Sequence, residues 1–247
     1  MLLGIDHLVI AVRDPDAAAA TMEADLGLAV TGGGRHELGG TYNRLAFLGD
    51  TYVELIGVFD PSLVGDPAAS PVGRAAAALL DAGHEGLATY ALATDDIDAE
   101  VAGRRSIGRP VPGSRRRADG EVVRWITAFP ELGPDRPPFL IWHEPAGAEW
   151  GEAARAARAA FTHPVGGRVR LEGLTLPVAD PAAARAEYRV VLGLGDAGDG
   201  FDIAGQRIEL VARTAATPEP AVDLVAGPGT APLDLVRFGI RWRRRPA

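Results

Sequence analysis

Apolar and polar positions alternate along "GIDHLVIAV" (4–12), with Leu8, Ile10 and Val12 on one face and His7, Val9 and Ala11 on the other. The first face is a core face. The second is also apolar apart from His7, which predicts a strand whose second face lines a cavity. "TYVELIGV" (51–58) has the same period: Val53 and Leu55 share one face, and Tyr52, Glu54 and Ile56 the other. His7 and Glu54 can therefore point into one cavity. Between these strands, Asp14-Pro15 supplies a capping carboxylate and a proline suited to the first helical turn. An Ala-rich run follows, and Gly27 stands where a left-handed C-cap ends a helix.

The same grammar recurs. "LEGLTLPVADPAAARAEYRVVLGLG" followed by "QRIELVA" repeats strand, Asp180-Pro181, helix, Gly193 and an Ile-Glu-Leu strand carrying Glu209. A fainter copy, "GLATYALATDDIDAEVA" with "PFLIW", lies between them. Each unit reads as βαβββ, and the fold class is α+β, with helices on one face of a mixed sheet whose other face is free to curl into a cup. The units predict a paired-module body over 1–165 and a third module over 166–247, with a terminal strand "LDLVRFGIRW" as the remnant of a fourth. Helices are expected in both inter-unit linkers, the second near 149–161. "PGSRRRADGEVVRW" reads as a hairpin around Ala118-Asp119-Gly120 with a solvated basic turn, Arg115 to Arg117, and anion binding there as the alternative. "RWRRRPA" reads as a frayed charged tail.

Composition narrows the chemistry. The 247 residues are 47% hydrophobic and 23% charged, an ordinary globular balance. A net charge of −8 gives no reason to expect nucleic acid or an anionic membrane as partner. There is no cysteine, so disulfides, thiolate nucleophiles and Cys-ligated metals are excluded. All 25 basic residues are arginine. No apolar run reaches spanning length and the start lacks a basic, then apolar, leader pattern, so a cytoplasmic location is expected.

"DHLVIAVRD", the Leu-Gly after the helix and "YVELI" on the fourth strand together resemble the vicinal oxygen chelate superfamily, which includes glyoxalase I, extradiol dioxygenases and bleomycin-resistance proteins. "GGGRHELGGTYNRLAFLGDTYVELIGV" and "THPVG" are similar to a glyoxalase-like branch of it. The resemblance implies two units forming one cup. In metal-dependent members, the first strand gives a His and the fourth a Glu, which fall on His7 and Glu54. It implies a divalent ion (Fe, Mn, Zn or Ni) there, acting on a small polar molecule with vicinal oxygens, as a lyase, isomerase or dioxygenase. The alternative is a metal-free small-molecule binding or resistance protein of the same fold.

The ligand set is incomplete. Unit two aligns Thr89 with His7, and its fourth-strand equivalent falls around Leu140; unit three keeps Glu209 but has Gly173 at the histidine position. A divalent ion needs about three or four protein ligands. His36 and His143 are the candidates for a base or third ligand, with Thr41, Asn43, Tyr52 and His163 expected to contact substrate. Each has a bland reading as turn, strand end or satisfied core residue, and Glu54 has pairing to Arg44 or Arg124 as its own. The expected partner is a small molecule, to a monomer or homodimer.

Overall fold

The structure, a computed structural model, describes all residues except 67–69, 118 and 134. Ala118 of the expected hairpin turn thus lies outside the described residues. Eight strands close into a barrel: β1 (Leu2–Ala11), β2 (Gly32–His36), β3 (Thr41–Leu48), β4 (Thr51–Val58), β5 (Gly86–Thr94), β6 (Val111–Arg117), β7 (Val122–Ala128) and β8 (Phe139–His143). Their order around the wall is β1-β4-β3-β2-β6-β7-β8-β5. The two halves meet where β1 runs antiparallel to β5, and close where β2 pairs β6 through Gly34 and Arg35.

Helices follow the predicted punctuation. α1 (Pro15–Thr21) starts at Asp14, whose carboxylate accepts from the amides of Asp16 and Ala17 at 2.9 and 3.1 Å. The helix widens into a π turn over Met22–Leu26 and stops at Gly27 with φ 66°. α2 (Pro61–Val64), α3 (Pro71–Asp81) and α4 (Ile97–Val101) follow, and the second linker holds α5 (Gly147–Trp150) and α6 (Glu152–Ala160).

The C-terminal part forms a separate six-stranded sheet from β9 (Val169–Val178), β10 (Gly200–Ile203), β11 (Gln206–Ala212), β12 (Ala221–Ala226), β13 (Leu233–Arg237) and β14 (Ile240–Pro246), with α7 (Pro181–Leu192) after β9. Its order, β10-β11-β9-β12-β14-β13, repeats the barrel run β3-β4-β1-β5-β8-β7 with the same parallel and antiparallel pairings. Among the described residues this sheet has no counterparts of β2 and β6, so it stays open. The segment read as one terminal strand is a hairpin, β13 and β14, and a further strand, β12, precedes it.

The expected frayed tail is instead an ordered strand. Trp242 is fully buried with its Nε1 donating to the Arg237 carbonyl at 3.2 Å, while Arg243 and Arg245 face carboxylates of Asp223 and Glu172. Alternation explains this: every second residue of "RWRRRP" is a core or sheet-face position, and the arginines between find partners on neighbouring strands.

One hydrophobic cluster runs from the outer face of the barrel (Leu8, Ile10, Leu55, Leu92) through α1 and α7 (Met22, Leu26, Tyr188, Leu192) to the second sheet (Leu174, Ile208, Trp242). The helices are thereby shared: Tyr90 of β5 donates to the Tyr188 hydroxyl at 3.2 Å, and Arg244 of β14 donates to the Leu26 carbonyl at 2.6 Å. Inside the barrel, α3 seals one end, its Ala76 packing on Val9, Ala11, Ile56, Ala91 and Ile141. Trp150 of α5 seals the other against Leu45, Phe47, Tyr52 and Val123. Among the described residues, no helix is long and apolar enough to cross a membrane.

Candidate active site

Between the two seals lies a layer of polar side chains. His7 and Glu54 both point inward from β1 and β4, with 3% and 6% exposure. A carboxylate so buried is tolerable only if it is bonded. Glu54 Oε1 accepts from Asn43 Nδ2 at 2.6 Å, and Asn43 Oδ1 accepts in turn from the Gly34 amide at 2.9 Å. Glu54 Oε2 lies 3.6 Å from His7 Nε2. Its partners are thus an amide and an imidazole, rather than Arg44 or Arg124. Arg44 pairs with Asp16 at 2.6 Å outside the barrel.

Asp6 completes the group, and alternation alone would turn it to the wrong face. The β1–β5 register shifts at this point: Ile5 opposes Leu92 and His7 opposes Ala91, leaving Asp6 as the extra residue of a bulge. A bulge re-aims a side chain. Here Asp6, 3% exposed, sits 2.6 Å from His7 Nδ1 and 3.0 Å from His143 Nε2. Burial pushes its carboxyl up, but His143 and His7 more than reverse that and hold it well below the usual carboxylate range. Ionised Asp6 then accepts from both rings, which fixes the His7 proton on Nδ1 and turns Nε2 toward Glu54.

Aromatic rings wall the layer. Tyr52 stacks on His7 with ring centroids 4.5 Å apart, and Phe139 meets it edge-on at 5.5 Å. Burial raises the Tyr52 phenol well above its ordinary range, so it stays protonated. His143 stacks on Trp150 at 3.7 Å. His143 Nδ1 and Trp150 Nε1 are both buried without a hydrogen-bond partner. Such orphans are rare and mark a place for a polar guest, water or ligand.

His36 ends β2 and its Nδ1 lies 2.8 Å from the Thr41 hydroxyl. Its pKa is lowered by burial foremost and by Arg115, with Glu54 opposing, which makes it a neutral imidazole at pH 7. The solvated reading of Arg115 is corrected by the structure: it points into the barrel, 4% exposed, and pairs with Glu149 of α5 at 2.5 Å. Arg117 reaches the same carboxylate at 3.1 Å from the rim. Period two along "VPGSRRR" turns Arg115 inward and its neighbours out.

His7, Glu54, Asn43, Tyr52 and His143 are therefore gathered in one layer, with His36 and Thr41 beside it. His163 is elsewhere. It lies in the linker after α6, where its Nδ1 accepts from the Ala29 amide at 3.2 Å, and it lines the cleft between the barrel and the second sheet. Asp6, Arg115, Glu149 and Trp150 are the members that sequence reasoning missed; only the Asp-His dipeptide and the alternation of the Arg run carried a signal.

Whether the layer suits a divalent ion can be tested by register. Val9 pairs Glu54 on β1–β4, and the equivalent pair on β5–β8 is Ala91 with Phe139. The position that mirrors Glu54 is thus Phe139, one residue before Leu140, and the position that mirrors His7 is Thr89. One half offers imidazole and carboxylate, the other a phenyl ring and a hydroxyl, and Asn43 already holds one Glu54 oxygen. Among the described residues, no group of three or more His, Asp and Glu is arranged to hold an ion. The donor set does not fit a complete metal centre.

Two histidines make the fold acid-sensitive. The pKa values of His36 and His163 are both lowered by burial, so the folded state binds fewer protons than the unfolded one. Stability is full above the unfolded value, about 6.5, and is lost as pH falls below it. Melting temperature should drop from pH 7 to pH 5, and the drop should shrink in His36→Asn/His163→Asn. A flat wild-type profile over that range would contradict this. The Asp6 contribution is lost only lower, as pH falls below about 4.

Comparison with known proteins gives the family and the fold. The family model described as "Glyoxalase-like domain" matches residues 5–192. No curated protein matches the chain. A crystal structure of a hypothetical protein from Staphylococcus aureus is similar over 98% of this chain and 99% of its own, at 18% identity and a TM-score of 0.75. Methylmalonyl-CoA epimerase from Mycobacterium tuberculosis is similar over 59% of this chain and 90% of its own, at 22% identity and TM-score 0.42. A Streptomyces coelicolor methylmalonyl-CoA epimerase variant, in complex with 2-nitronate-propionyl-CoA, is similar over 58% and 99%, at 25% identity and TM-score 0.42.

Proposed function

Since the chain belongs to the glyoxalase-like domain family of the vicinal oxygen chelate superfamily, we propose that its barrel is an acid–base site that moves a proton on a small polar molecule bearing adjacent oxygens. The observation that carries this is the Asp6–His7–Glu54 line, in which each proton carrier is backed by a fixed partner. Asp6 holds His7 Nδ1, and Asn43 holds Glu54 Oε1. His7 Nε2 and Glu54 Oε2 are left facing each other across 3.6 Å. An imidazole stabilised as imidazolium by a buried carboxylate is a competent base: His7 Nε2 takes the proton from the substrate carbon, and that proton returns to the substrate from the imidazolium directly or after passing to Glu54 Oε2. Asn43, His36 and Thr41 supply donors and acceptors for the oxygens, and the orphaned His143 Nδ1 and Trp150 Nε1 supply two more.

The proton transfer is of the isomerase type and asks nothing of a redox centre. A second reading, a divalent ion on His7 and Glu54, draws support from those two facing atoms. Phe139 and Asn43 weigh against it.

The experiment is isotope exchange. Incubation with 2-oxo and 2-hydroxy carboxylates and hydroxyketones in heavy water should give deuterium at the carbon next to the carbonyl, read by NMR. His7→Gln and Glu54→Gln should each slow exchange by about 10²-fold or more while the melting curve stays cooperative. Exchange that appears only when Mn(II), Fe(II), Zn(II) or Ni(II) is added would replace this reading with the metal one. No exchange and no ligand-induced thermal shift across the panel would overturn both.

A further inference from the structure

A cavity lies outside the barrel, between β3, the linker after α6, and the second sheet. It has a volume of about 320 Å³, within the range of small-molecule sites, and lies at the junction of two structural layers where such sites concentrate. Its walls are apolar: Leu48, Phe161, Val169 and Val225 are the larger groups. Three arginines line it, Arg158, Arg168 and Arg170, and among the described residues no Asp or Glu side chain does.

That charge pattern departs from the rest of the second sheet. Arg207, Arg241, Arg243 and Arg245 each face a carboxylate at hydrogen-bonding or ion-pair distance. Arg168 and Arg170, two residues apart at the start of β9, face none among the described residues. In a chain of net charge −8, with more acidic than basic residues, a cleft that holds the unpaired Arg168 and Arg170 beside the paired Arg158, with no Asp or Glu side chain lining it among the described residues, concentrates positive charge. Arg158 is fixed rather than loose. Its side chain is 10% exposed, pairs with Asp50 at 3.4 Å, stacks over the Phe47 and Trp150 rings at 4.8 and 4.7 Å, and donates to the Glu149 carbonyl. The floor is rigid too, since His163 is neutral and bonded to Ala29.

We infer that this cleft is a second binding site, for a small organic anion: a carboxylate or phosphate ester held by the arginines, with a compact apolar body against Phe161, Val169 and Val225. Guanidinium recognises both anions in the same forked geometry, so the shared chemistry is what the site selects. The site lies outside the barrel layer, and Arg158 links the two by stacking over Phe47 and Trp150.

Phenylphosphate and benzoate, titrated calorimetrically against the full chain, test it. Benzyl alcohol probes the body without the charge, and inorganic phosphate the charge without the body. Both aryl anions should bind saturably, and each half-probe at least about tenfold more weakly. Arg168→Gln/Arg170→Gln, at exposed positions, should weaken phenylphosphate about tenfold or more, as should Ala159→Trp, which fills the cleft from exposed α6. His7→Gln should leave the affinity unchanged. The proposal is overturned if neither aryl anion binds, if the double arginine variant binds as wild type does, or if His7→Gln abolishes binding, which would place the anion in the barrel. The fate of the barrel reading is decided separately by isotope exchange.

Discussion

Arg115→Met should destabilise the protein by about 3 kcal/mol, the scale on which breaking a buried ion pair strands its partner. Arg115 and Glu149 are 4% and 5% exposed, lie 2.5 Å apart, and tie β6 to the short helix α5 that seals the barrel. Arg115 Nη1 also donates to the Gly33 carbonyl at 2.9 Å, so β2 loses a tie as well. Arg117 remains on the other Glu149 oxygen, which keeps the loss at the lower end of the range for buried pairs. For a chain of this size the shift corresponds to roughly 6–12 °C in melting temperature. Arg115→Met/Glu149→Leu should recover most of it, because what costs most is a buried charge left alone, not the missing attraction. Denaturant melts of the two single variants and the double close the cycle. A loss below about 1 kcal/mol in the single variant would mean that water reaches the pair and the seal is not held this way.

Asp6→Asn should have the larger effect on turnover, about 10²–10⁴-fold in the exchange rate with little change in substrate affinity. The carboxylate does two things: it fixes which His7 nitrogen carries the proton, and it stabilises the imidazolium that forms when Nε2 takes one. An asparagine amide can donate to Nδ1 instead, which places the ring proton on Nε2, the wrong nitrogen for a base. A purely structural Asp6 would lower stability and leave the exchange rate of the folded protein unchanged. The same substitution frees His143 Nε2 from an anion, so its effect and that of His143→Gln should be non-additive.

Much of the fold was written in local patterns. The Asp-Pro pairs cap α1 and α7 as expected, with Asp180 accepting from Ala182 and Ala183 at 2.9 and 3.1 Å, and Gly27 and Gly193 both take φ 66°. Alternation placed His7 and Glu54 on one face because a strand has only two faces to choose from. The rest needed three dimensions. A bulge has no periodic signature, so nothing in "IDHLV" says that Asp6 turns inward. Register between strands far apart in sequence is set by packing, which is why the position mirroring Glu54 is Phe139 and not its neighbour. Glu149 and Trp150 sit on four residues of helix whose role exists only once β6 and β8 have brought Arg115 and His143 beneath it. His163 carries the same residue type as the layer members, but its ring is spent on pinning Ala29.

The missing counterparts of β2 and β6 have a consequence for how the two halves meet other molecules. A ring of strands has no rim along which a foreign strand could add, whereas the open sheet ends in two, β10 and β13. Nature's usual guards stand there: β10 is only four residues long, and β13 presents Asp234 and Arg237, both engaged in ion pairs, with Gly239 turning the chain straight back into β14. Any tendency of this protein to add strands edge to edge would therefore begin in its last third, and mutations that neutralise those two charges would be the ones to release it.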